Sequence, residues 1–67
     1  MVNTVLLEKI IADSGLKKKF IASKVGVSPW CLTQKIRNNT EFLASEINVL
    51  CGVLSISKKL KEEIFFS

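Results

Sequence analysis

The stretch Lys18–Asn38, KKFIASKVGVSPWCLTQKIRN, decides how the rest of the chain is read. It divides at Gly26 into two short amphipathic segments. The first, about Lys18 to Val25, puts Ile21, Ala22 and Val25 on an inward face, with Phe20 a further candidate. Gly26 suits a tight turn. Ser28 is a good helix N-cap and Pro29 fits the first helical position, where its missing N–H costs nothing. Leu32 and Ile36 then form the inward face of a second helix, with Val27 packing at its start and Cys31 at the edge of that face. A small residue at Ala22, a tight turn and a second helix opened by its own cap make the pattern of a helix-turn-helix. The polar run Asn38-Asn39-Thr40 ends it, and asparagine is the non-glycine residue most willing to turn left-handed.

Working outward, Asn3 or Thr4 can cap a first helix that runs to about Asp13. Its apolar stripe is Leu6 and Ile10, flanked by Val2, Leu7 and Ile11, and Ser14-Gly15 ends it. On the other side, Phe42 and Leu43 bring the chain back to the core. A fourth helix, capped near Ala44 or Ser45, carries Ile47, Leu50, Cys51 and Leu54 at i, i+3, i+4 and i+7. Ser57 caps a last helix of Lys58 to about Phe65, with Leu60 and Ile64 inward. No two-residue alternation is long enough for a strand. The expectation is an all-α domain of five short helices, spanning 1–67 as one unit.

The charge is uneven. The chain carries ten Lys or Arg against six Asp or Glu and no histidine, for a net +4. Residues 1–37 hold seven basic residues against two acidic ones, +5, whereas residues 38–67 hold three against four, −1. The basic charge sits in and around the central motif, the asymmetry expected of an anion-binding face; the alternative is the ordinary charged surface of a small domain. Lys17, Lys18 and Lys19 crowd the start of the second helix, against its dipole. A phosphate bound there would offset them, using the lysines and the free amides of the first turn. The alternative is a lysine-rich solvated loop. Cys31 and Cys51 stand alone, without a C-x-x-C or a histidine, so neither a metal nor a cofactor is expected. With no nucleophile–base pair and no convergent acid pair, an enzyme is not expected either. No apolar run is long enough to span a membrane, and no secretion signal is seen.

Taken together, Ala22, Gly26, Val27-Ser28, Leu32 and the pair Lys35-Ile36 resemble the helix-turn-helix of the lambda-repressor-like family, also called the Cro or Xre family. The pattern Ser45-Glu46-Ile47…Leu50-Cys51…Leu54 and the ending Leu60…Ile64-Phe65-Phe66 are similar to small phage-type members, so the resemblance spans essentially the whole chain. It implies a compact five-helix DNA-binding domain of the bacterial or phage-infected cytoplasm. Helices 2 and 3 would form the helix-turn-helix, and helix 3 would enter the major groove of an operator. It further implies a homodimer, at least on DNA. A single domain leaves no room for a separate ligand-binding module, so no small-molecule ligand is expected. Base-reading positions fall on Pro29, Trp30 and Gln34, with Ser28 and Thr33 beside them. Lys17 and Lys18 fall where the family clamps phosphate. Two departures stand out: many members have glutamine at Lys18 and glycine at Asn38.

On the exposed face, Trp30 can meet thymine methyls or a sugar–phosphate edge; alternatively it folds back over the domain or anchors a partner. Gln34 can pair adenine through its amide or be a solvated helix residue. Lys35, Arg37 and Asn38 lie toward the helix C-terminus, farther from the groove floor, and are expected at phosphates. Phe65 and Phe66 either form a dimer contact or complete the monomer core. The functional expectation is a sequence-specific transcriptional regulator, most simply a repressor. Its rival is a protein–protein adaptor or antitoxin-like module that has kept the fold.

Overall fold

Local capping sets most of the helix boundaries in the computed structural model, which describes residues 2–66 and so omits only the two ends of the expected 1–67 domain. Among the described residues there are five helices and no strand: α1 (Thr4–Ser14), α2 (Lys18–Val25), α3 (Pro29–Ile36), α4 (Ala44–Val53) and α5 (Lys58–Phe65). Asn3 Oδ1 accepts the Leu6 N–H at 3.1 Å, Ser28 Oγ that of Cys31 at 3.1 Å and Ser57 Oγ that of Leu60 at 3.3 Å. Each bond satisfies one of the orphan amides of a first turn. No helix among the described residues is long and apolar enough to cross a membrane.

The helix ends are as local as the starts. Gly26 takes φ 91° and its neighbour Val27 donates to the Ala22 carbonyl at 3.0 Å. Asn38 takes φ 65°, with Asn39 N–H on the Gln34 carbonyl at 2.9 Å and its own N–H on Lys35 O at 3.2 Å. That pair of bonds around a left-handed residue is a Schellman ending. α4 ends the same way: Ser55 has φ 55° and Ile56 N–H donates to Cys51 O at 2.9 Å.

One core unites the helices. Leu7, Ile21, Ala22, Leu32, Ile36, Leu50 and Ile64 are almost wholly buried, joined by Ile11, Ile47, Leu54 and Phe65. α2 packs on α3 and α4, and α1 on α3 and α5. The whole is about as wide as it is long, 26 × 24 × 21 Å.

Three core expectations need correction. In α1 the buried pair is Leu7 and Ile11, and Leu6 and Ile10 are only half-buried. Both pairs have four-residue spacing, so tertiary packing chooses between them. Phe20 is 46% exposed, with its ring against the Lys24 ammonium at 5.4 Å. Leu43 is 62% exposed, because it occupies the N-cap position of α4 and only Phe42 turns inward. A leucine side chain cannot cap. The Glu46 carboxylate does it instead, accepting the Leu43 N–H at 2.8 Å.

Candidate nucleic-acid interface

The site is built on α3, whose inner face is pinned by Leu32 and Ile36. With those two buried, the N-terminal part of the helix is turned outward: Ser28, Pro29 and Trp30 are all exposed. Trp30 is 70% exposed, so its indole does not fold back over the domain. Thr33 and Gln34 are half-buried and already engaged. The Thr33 hydroxyl donates to Pro29 O at 3.0 Å, leaving its methyl group and oxygen lone pairs for other contacts. Gln34 Oε1 accepts from Asn39 Nδ2 at 2.7 Å, an arrangement that fixes the amide against the residue just past the helix. Ser28 Oγ is committed to the cap.

The cations at the start of α2 and the end of α3 differ in how far they are engaged. Lys17, Lys19 and Arg37 are exposed and, among the described residues, make no ion pair. Lys17 stands at the N-cap position of α2 without a capping side chain, and no acidic residue occupies that first turn. The amides there are therefore open to an anion. Lys18 is half-committed. Its ammonium lies 3.0 Å from Glu8, linking α2 to α1 on a surface where such pairs contribute about 1 kcal/mol at most.

Three expected site residues belong to the scaffold instead. Lys35, expected at a phosphate, is paired within the fold: its ammonium lies 3.0 Å from the Glu46 carboxylate, with those side chains only 14% and 12% exposed. It also donates to Glu41 O at 2.8 Å and sits 5.9 Å from the Phe42 ring centre. Asn38, also expected at a phosphate, uses its amide on the N-terminal segment, donating to Val2 O at 2.9 Å and accepting the Val2 N–H at 2.8 Å. Phe65 completes the monomer core, 6% exposed and edge-on to Phe42 with ring centres 5.6 Å apart. Phe66 remains 65% exposed, beside a shallow groove of about 250 Å³ lined by Val2, Phe42, Ile47 and Phe65 among others.

The sequence offers Asn39 only as part of the polar run that ends α3, and Glu46 only within the pattern of α4. Asn39 carried a local signal, since an asparagine five residues after Gln34 falls just beyond the helix end. The Lys35–Glu46 pair carried none, because it joins two helices through a loop whose path is set by packing.

The Glu46 carboxyl is held below its ordinary range. The Leu43 N–H is the main cause and Lys35 adds to it, while burial acts in the opposite sense. A carboxylate whose folded value is depressed contributes stability above its unfolded pKa and loses it as pH falls through the folded one. Glu46 therefore helps fully above its reference value of 4.5 and progressively less below it. Glu46→Gln keeps an acceptor for Leu43 but removes the charge. The urea midpoint of the variant should lie below wild type near pH 7, and the gap should close near pH 3. A gap independent of pH would show that the pair contributes nothing through its charge.

No family model matches the chain, and neither a curated protein nor a solved structure matches it.

Proposed function

We propose that the chain is a sequence-specific double-stranded DNA-binding protein, a transcriptional regulator of the lambda-repressor-like kind and most simply a repressor. α2 and α3 act as its helix-turn-helix. The observation that carries this reading is the outward half of α3: an exposed Trp30 and a tethered Gln34 on a helix fixed from behind, with Arg37 at its end and Lys17 and Lys19 at the start of α2 exposed and in no ion pair among the described residues. Phosphate contacts position such a domain, and side chains reaching base edges specify its site. Trp30 offers apolar surface to thymine methyls, and Gln34 offers an amide to adenine.

Binding is proposed to use two copies, one on each half-site, since a single two-turn helix and three cations grip few phosphates. Phe66 and the outer side of α5 are the candidate contact. The alternative is a protein–protein adaptor or antitoxin-like module, which the exposed Trp30 and Phe66 favour as aromatic anchors.

Selection of bound fragments from random duplex DNA by the purified protein separates the two. Enrichment of a defined, two-fold-related sequence is the expected result. Gln34→Ala, repeated in the same selection, should relax preference at one position of each half-site by roughly tenfold, the low end of the range for a bidentate base contact. No enrichment and no retention of DNA at low salt would leave the adaptor reading standing alone.

A further inference from the structure

The residues that end α3 do more than stop it. Asn38 turns left-handed at φ 65°, and its side chain then reaches across 36 positions of sequence to bracket the Val2 peptide. The orientation of that amide is fixed by chemistry. Val2 N–H can only donate and Val2 O can only accept, so Oδ1 must face the first and Nδ2 the second. Nδ2 also lies 3.3 Å from Thr4 Oγ1, and the Thr4 hydroxyl donates to the Ile36 carbonyl at 2.6 Å. That carbonyl is one of the four that the end of α3 leaves without an intrahelical partner. Asn3 completes the arrangement by donating its backbone N–H to Ile64 O at 2.6 Å. Val2, Asn3 and Thr4 thus form a strap from the end of α3 to the end of α5.

We propose that Asn38 is a positioning residue for DNA reading, and that the strap 2–4 sets the tilt at which α3 presents Trp30 and Gln34. This rests on the DNA-binding reading of α3. Helix α3 has two turns and only Leu32 and Ile36 as buried anchors, both on one side, which leaves its tilt about that line to be fixed at its ends. The start is fixed by the turn from α2. The other end is held by the strap, through four hydrogen bonds to Asn38 and Ile36 or between them and Thr4. Glycine at position 38 would supply the same backbone turn but none of the three bonds that the Asn38 side chain makes, so turn and clamp are separable functions of one residue.

Asn38→Gly, Thr4→Val and the double variant test the proposal, with wild type alongside. Amide exchange in the free protein reports the strap and the end of α3 through Val2, Arg37 and Asn39. Affinity is measured for a selected duplex and for a random-sequence duplex of about 30 base pairs. Each single variant should speed exchange at Arg37 and Asn39, and should weaken the selected duplex roughly three- to tenfold, the scale of one or two hydrogen bonds. The ratio of selected to random affinity should fall with it. Mere loss of folded protein would weaken both duplexes alike and leave the ratio intact. The double variant should be little worse than the stronger single one, because both cut the same connection. Unchanged exchange at Arg37 and Asn39 in both single variants would overturn the proposal. So would wild-type selectivity in Asn38→Gly despite a released Val2 amide. If wild type binds neither duplex, the DNA reading fails by itself, and exchange at the end of α3 alone then decides whether the strap holds that helix.

Discussion

Leu32→Ala should leave the domain close to unfolded at physiological temperature. Leu32 is wholly buried, on the side of α3 that meets the core. Truncating a buried leucine to alanine destabilises by about 2–5 kcal/mol, through lost transfer energy and the cavity left behind. A chain of 67 residues, at about 0.05–0.15 kcal/mol per residue, has roughly 3–10 kcal/mol in total. The loss is therefore a large share of the whole, and the thermal midpoint should fall by about 10 °C or more. Leu43→Ala is the matched control. The same atoms are removed from a side chain that is 62% exposed, so the midpoint should shift by no more than a few degrees, the equivalent of about 0.5 kcal/mol. Circular dichroism melts of the two variants check both. Equal shifts would mean that α3 is not held by its inner face.

That pair of leucines also marks where sequence reading stops. The helices were legible because their limits are chemical and local. Asn3, Ser28 and Ser57 each bond an amide three residues on, and Gly26 and Asn38 turn left-handed where the periodic pattern ends. Leu32 and Ile36 were legible as core because α3 has a single apolar stripe. α1 has two adjacent stripes, and only the position of α3 and α5 selects Leu7 and Ile11 over Leu6 and Ile10. Leu43 was misplaced for a related reason. Phe42 and Leu43 are adjacent in an extended stretch, where successive side chains point to opposite sides, and composition does not say which turns inward.

The candidate face was legible in outline and not in its internal bonding. The exposure of Trp30 follows from helical geometry once Leu32 and Ile36 are buried. The charge count could not separate a cation that faces solvent from one that pairs across the fold. Lys35 has the same sequence credentials as Arg37, yet it lies against Glu46, with Phe42 below it and Glu41 O within hydrogen-bonding distance. Its removal should therefore affect folding and leave any phosphate grip unchanged. Asn38 likewise has an amide that composition would place on a polar surface, and a contact at a sequence separation of 36 is invisible before the fold is known.

Raising monovalent salt from about 50 to 200 mM should weaken duplex binding by roughly a thousandfold if two copies bind together. Each phosphate neutralised contributes about 0.9 to the slope of log K against log salt. If exposed Lys17, Lys19 and Arg37 each meet one phosphate, two copies would engage about six and the slope should be about −5. One copy alone would give about −3 and a loss of only about fortyfold over the same range. The slope thus reports stoichiometry as well as charge. Lys17→Ala should flatten it by about one per copy and weaken all sequences alike. Lys35→Ala should leave the slope where it is and lower the thermal midpoint instead, since it leaves Glu46 without its partner in a largely buried pair. A Lys35→Ala slope as flat as that of Lys17→Ala would return Lys35 to the phosphate-binding set. A slope near zero in wild type would remove phosphate contact from the function altogether and leave Trp30 as an anchor for a protein.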